Sequence, residues 1–195
     1  MTTPPPFARA PFAVLAVLAV AVSGVAAQGG ASQSSPASAK PGPVIEAFGA
    51  SYDVPFATLK PSPDVEYKVK FDVASGHADA KAVNVSLDTV ARFVNMHVRA
   101  GVPLDHVKAA VILHGSAAKD ALGHAGYRAR HGVDNPNLPL IEALARAGVR
   151  IYVCGQSAVG RGLKWNEFAP EVKVALSAIT AHAILAGEGY STNPF

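Results

Sequence analysis

A chain of 195 residues, half of them hydrophobic, suffices for one domain with its own core and a short appendage. The net charge of +3 comes from 17 Lys and Arg against 14 Asp and Glu with no basic cluster, which argues against a nucleic-acid partner. A single cysteine, Cys154, excludes an intrachain disulfide.

In chain order, residues 1–27 read as a signal peptide. Arg9 and the α-amino group make the charged start, Pro11 to Val22 the apolar run, and Val25 and Ala27 the small-residue cleavage site, so the cut is expected after Ala27. The run is short for a membrane span. No stable membrane insertion is therefore expected after cleavage, an uncleaved anchor being the alternative, and the mature protein is expected to be periplasmic or secreted. Residues 28–43 are Gly, Ala, Ser, Gln and Pro with one charge, Lys40, and read as a flexible leader. Residues 44–64 scatter Ile45, Phe48, Phe56 and Leu59 among Gly and Pro. They read as an irregular arm packed on the domain or on a neighbouring subunit.

The domain is expected over residues 65–195. Tyr67, Val69, Phe71 and Val73 alternate with Lys68, Lys70 and Asp72, the period of a strand. Asn84 is placed to cap a helix carrying Leu87, Val90, Val94 and Val98. Val107 to Leu113 is nearly all apolar, as in a strand covered on both faces, and ends at His114-Gly115-Ser116. Ala117 to Arg130 has helical signals interrupted by Gly123 and Gly126. Asn137 is placed to cap a helix with Leu140, Ile141 and Leu144, closed by Gly148. Val149, Ile151 and Val153 form a strand ending at Cys154-Gly155-Gln156-Ser157. A short turn near Trp165, a strand through Val172 and Val174, and a helix from Ala178 to Ala186 complete the series. This alternation predicts a three-layer α/β/α domain with a mainly parallel sheet.

In such a sheet the two strands ending at His114 and Cys154 end on one edge, where open α/β folds bind ligands. A cysteine reacts as thiolate, with a free pKa of about 8.5 that cations or helix amides lower. The backbone N–H groups of Gly155, Gln156, Ser157 and Ala158 and the Arg161 guanidinium are candidates for that, with His114 to accept or relay the proton and Ser116 beside it. Cys154 suits a small buried hydrophobe equally well. The seven histidines make no metal signature. Gly115-Ser116 lacks the frame of a nucleophile elbow, and Gly160-Arg161-Gly162 lacks the ending of a phosphate loop.

The pieces Ala110-Val-Ile-Leu-His-Gly115, Asn135-Pro-Asn-Leu-Pro-Leu140, Gly148-Val-Arg-Ile-Tyr-Val-Cys-Gly-Gln-Ser157 and Gly187-Glu-Gly-Tyr190, with Asn95-Met96-His97, resemble the DsrE/DsrF-like sulfur-relay family, and within it the small secreted branch. The resemblance implies a flavodoxin-like fold, trimers or hexamers, and a strand-end cysteine that carries sulfur as a persulfide, which aligns with Cys154. It also implies a thiol or persulfide donor and acceptor as partners, and no cofactor. The chain departs from the relay members in its export signal, since those work in the cytoplasm. The alternative is a non-catalytic binding module for a small anion, haem or metal, with Cys154 and His114 as ligands or passive. A homo-oligomer is expected in either case, from the aromatic arm and from the family's habit.

Overall fold

The structure is a computed structural model that describes residues 38–193. The expected signal peptide and the first ten residues of the leader lie outside the described residues. Five strands form one all-parallel sheet: β1 (Tyr67–Val73), β2 (Val107–Leu113), β3 (Arg150–Cys154), β4 (Val172–Ala175) and β5 (Ser191–Asn193). Their spatial order is β4-β3-β2-β1-β5. The helices are α1 (Val85–Arg99), α2 (His124–His131), α3 (Leu138–Arg146), α4 (Gly155–Gly160) and α5 (Ala178–Gly187). No helix among the described residues is long and apolar enough to cross a membrane.

The layers follow from this order. Strands β1 to β4 step in one direction, so right-handed crossovers put the helices between them on one face, and the return from β4 to β5 puts α5 on the other. On the first face, Leu87, Val90 and Val94 of α1 and Leu140, Ile141 and Leu144 of α3 pack with Phe71, Val111, Leu113, Ile151 and Val153. On the second, Ala181 and Leu185 of α5 pack with Ala110, Ile112 and Tyr190. This is the predicted three-layer α/β/α domain. Its strand order differs from the flavodoxin order 2-1-3-4-5, because the strand beside β1 comes from the chain's end.

Central β2 is apolar throughout because both of its faces are covered. β1 alternates because its second face meets polar groups: Lys70 is buried there and its Nζ donates to the Tyr190 carbonyl at 3.0 Å. Asn84 caps α1 as predicted, its Oδ1 accepting the Ser86 N–H at 2.9 Å. Asn137 does not cap α3 through its side chain. Its Oδ1 accepts the buried N–H of Asn84 at 2.7 Å, a donor that has no other partner there, while Asn135 Oδ1 accepts the Asn137 N–H. Residues 115–121 form a 3-10 helix, and Gly126 lies inside α2 instead of ending it.

The arm is irregular but its inner half belongs to the domain. Asn95, fully buried on α1, accepts the N–H groups of Val44 and Ile45 and donates to the carbonyls of Ile45, Phe48 and Gly49. Residues 38–43, the end of the expected flexible leader, are held as well. Lys40 pairs with Ser51 in an antiparallel bridge, and Arg99 donates to the carbonyls of Pro41 and Gly42. Phe48 packs against the core, whereas Phe56 and Leu59 are exposed.

Candidate functional site

The carboxyl edge of the sheet gathers the ends of β1 to β4, and two glycines let them close up. Gly115 has φ of +53°, and a Cβ there would meet the Ala74 carbonyl at 2.6 Å. At Gly155 a Cβ would meet the Ala175 carbonyl at 2.8 Å. The His-Gly and Cys-Gly pairs read from sequence are thus the residue types that such an edge demands.

Cys154 is 4% exposed and its Sγ accepts the Ser157 N–H at 3.4 Å. Burial pushes the thiol up. Hydrogen bonds from the Ser157 hydroxyl and from the backbone N–H groups of Ser157, Ala178 and Gln156 outweigh that, and the thiol ionises below its ordinary value. Two helix starts therefore meet on one sulfur: Gln156 and Ser157 open α4, and Ala178 opens α5. The start of α5 is itself fixed by Ser177, whose Oγ accepts the Thr180 N–H at 2.9 Å. The Ser157 hydroxyl oxygen accepts the Gly115 N–H at 3.0 Å, which ties the end of β2 to the thiol.

Topology explains why α5 arrives there. To reach β5 from β4, the chain crosses β3, β2 and β1 on the second face. Its helix therefore begins over Cys154 and passes toward β1, where the His182 Nε2 lies 2.9 Å from Asp72 Oδ1. His114 Nε2 lies 2.8 Å from the same oxygen. Leu113 and Val153 are register partners, so His114 and Cys154 follow them at neighbouring strand ends. His114, expected to accept or relay the thiol's proton, is hydrogen-bonded to Asp72.

The other expected residues divide. Gln156 and Ser157 act on the thiol, Gln156 through its backbone, with its side chain exposed, while Gly155 serves the site through its close approach to the Ala175 carbonyl. Ser116 is turned to the loop after β1, where its Oγ accepts the Gly76 N–H at 3.0 Å. Arg161 does not sit by the sulfur. It is exposed at the far end of α4, where its N–H caps the carbonyls of Ser157 and Ala158, and the amides do what was expected of its guanidinium.

Asp72 and His182 escaped the sequence reading. Asp72 looks like the solvent-facing half of an alternating strand, and His182 is a lone imidazole in an apolar helix, 110 residues away. The one sequence signal was the carboxylate near the end of a strand predicted to be parallel to those of His114 and Cys154. No group of three or more His, Cys, Asp and Glu among the described residues is spaced to hold a metal ion.

Among solved structures, the ychN protein from E. coli is similar over 66% of this chain and 99% of its own, at 13% identity and a TM-score of 0.50, a likeness of fold. The protein MTH1491 from Methanobacterium thermoautotrophicum, titled a protein of unknown function, covers the same shares at 16% identity and a TM-score of 0.47. No curated protein matches. The DsrE/DsrF-like family matches residues 68–193, from within β1 to the end of β5, with the cysteine edge inside it. The chain belongs to the DsrE/DsrF-like family.

Proposed function

We propose that this is an exported sulfur-handling protein in which Cys154 takes a sulfane sulfur from a donor, holds it as a persulfide and passes it to an acceptor thiol. The observation that carries this reading is the convergence of the Ser157 hydroxyl and the amides of Gln156, Ser157 and Ala178 on Sγ. A buried cysteine serving only as a small hydrophobe needs apolar neighbours, whereas hydrogen-bond donors on sulfur favour the thiolate, which is the nucleophile. Family membership points the same way. Export is supported by the sequence of residues 1–27. Because little of Cys154 is exposed, the donor must present its sulfur at the end of a slender chain, as a small-molecule persulfide or thiosulfate does. The test is intact mass after incubation with thiosulfate or glutathione persulfide. Wild type gains the mass of one sulfur atom and Cys154→Ser gains none, and an equal gain in both excludes Cys154 as the carrier.

The reading includes a homo-oligomer, a trimer or a dimer of trimers. α5 is apolar on both sides. Ala181 and Leu185 face the sheet, while Ile179, 82% exposed, and Ile184 stand outside, and Leu176 just before the helix is exposed as well. A helix apolar all round is a helix meant to be covered, and a second copy of the chain is the proposed cover. Tyr52, Val54, Phe56 and Leu59 of the arm add further exposed apolar surface. Light scattering behind size exclusion gives the mass, and a monomer at tens of micromolar overturns this part.

A further inference from the structure

Asp72, His114 and His182 form a cluster that the thiol's own hydrogen bonds do not use. Both imidazoles reach the same oxygen, Asp72 Oδ1, at 2.8 and 2.9 Å. A carboxylate offers only acceptors, so each ring carries its proton on Nε2 and presents Nδ1 as a base. All three side chains are only part-buried, so the cluster is open to solvent.

The cluster is also aligned with the sulfur. β3, β2 and β1 are adjacent, with Cys154 at the end of β3, His114 just after the end of β2 and Asp72 one residue before the end of β1. Neighbouring strands are roughly 4.8 Å apart, so His114 occupies the place between nucleophile and carboxylate. α5 covers all three, touching the thiol through Ala178 and the carboxylate through His182, one helical turn later. Of the other ionisable groups of this face, Lys173 is exposed on edge strand β4 beside Tyr152, and the rest are engaged elsewhere or distant. Lys70 bonds the Tyr190 carbonyl, Arg150 pairs with Glu188 and with the Tyr152 hydroxyl, and Lys68 pairs with Glu66, while Lys108 lies at the opposite end of β2.

We propose that this cluster is a proton relay for sulfur exchange at Cys154, with His114 exchanging the proton and with Asp72 and His182 as positioning residues that act through it. The inference rests on the sulfur-carrier reading and supplies the proton balance that reading needs. In the first half-reaction the Cys154 thiolate attacks the outer sulfur of a donor R–S–SH. The new S–S bond forms as the donor's S–S bond breaks, the bonding pair leaves on RS⁻, and the His114 imidazolium protonates it to RSH. In the second half-reaction the neutral His114 takes the proton of an acceptor thiol R′SH. R′S⁻ then removes the outer sulfur as R′–S–SH, and Cys154 leaves as thiolate. Each cycle consumes one proton and returns it at the same imidazole, with no outside oxidant or reductant. Asp72 fixes the tautomer and stabilises the imidazolium, as a carboxylate does behind a catalytic histidine. His182 completes the shared pair and holds α5 in place over it.

The test is the single-turnover rate of sulfur transfer from glutathione persulfide to the full-length protein as a function of pH. Thermal melts accompany it to show that each variant is folded. In wild type the rate falls on the alkaline side as imidazolium is lost. His114→Gln lowers the maximum by roughly 10²-fold, the scale of general acid catalysis, and removes that fall. His182→Gln and Asp72→Asn lower the rate less and displace the alkaline fall, a change of profile that a merely structural role does not make. If His114→Gln does not fold, the His182→Gln profile decides. Wild-type rates and profiles in folded variants overturn the relay while the carrier reading stands. Absence of any sulfur adduct in wild type overturns both.

Discussion

Ser157→Ala isolates the one side chain that reaches the thiol. Its hydroxyl is the largest of the influences that favour the thiolate, and deletion leaves only the amides of Gln156, Ser157 and Ala178 against burial. A hydrogen bond to a charged group contributes about 1.5–3 kcal/mol. Losing it should therefore raise the pH at which Cys154 ionises. The same change orphans the Gly115 N–H, which now donates to the Ser157 hydroxyl at 3.0 Å, so stability should also fall, by about 1–3 kcal/mol. The two effects separate experimentally. The rate of iodoacetamide alkylation between about pH 5 and 10 reports the thiolate in the folded protein, and urea unfolding reports the stability. Ser157→Thr retains the hydroxyl and should lie near wild type. Gln156→Ala should leave the alkylation midpoint in place, because only the backbone of Gln156 acts on the sulfur. A Ser157→Ala midpoint indistinguishable from wild type refutes the reasoning.

Further outcomes follow from the same geometry. The folded thiol ionises below its unfolded value of about 8.5, so ionisation favours the folded state. That stability is full above about pH 8.5 and is lost as pH falls through the folded pKa, a dependence that urea titrations should show in wild type and miss in Cys154→Ser. Gly155→Ala places a Cβ 2.8 Å from the Ala175 carbonyl, at the connection between β4 and α5. It should cost about 1–3 kcal/mol in thermal unfolding and, by moving Ala178 off the sulfur, raise the alkylation midpoint. Asn95→Ala removes the clamp on the arm and leaves buried backbone groups of Val44, Ile45, Phe48 and Gly49 unpaired. Limited proteolysis should then cut within residues 38–64 much faster than in wild type, and an unchanged digestion pattern contradicts the clamp. Ile179→Lys with Ile184→Lys should lower the mass seen by light scattering without lowering the melting temperature of the isolated fold.

The layers were legible because the core writes them into the sequence. β2 is apolar at nearly every position, α1 and α3 carry apolar residues at helical spacing, and Asn84 caps where a cap was due. β5 was not legible, since Ser191, Thr192 and Asn193 have no apolar alternation and pair only as an edge beside β1. Asn137 misled because an asparagine before a helix signals a cap whether its oxygen turns to its own helix or, as here, to the Asn84 N–H of another segment. At the site, sequence placed Cys154 and His114 at strand ends and supplied the amides of Gln156 and Ser157. It did not supply Ala178, Asp72 or His182. Those meet the site only because α5 crosses back over three strands, a consequence of β5 lying beside β1 that no local pattern carries.

The central claim is that Cys154 carries sulfur between two thiols, and isotope transfer tests it most directly. Glutathione persulfide labelled with heavy sulfur at its outer atom is mixed with the protein, excess donor is removed, and N-acetylcysteine is added. The account predicts the label first on the peptide containing Cys154, then on N-acetylcysteine persulfide in equal amount, with neither step in Cys154→Ser. Label that reaches the acceptor equally well through Cys154→Ser, or that binds wild type and never leaves to a thiol, contradicts it.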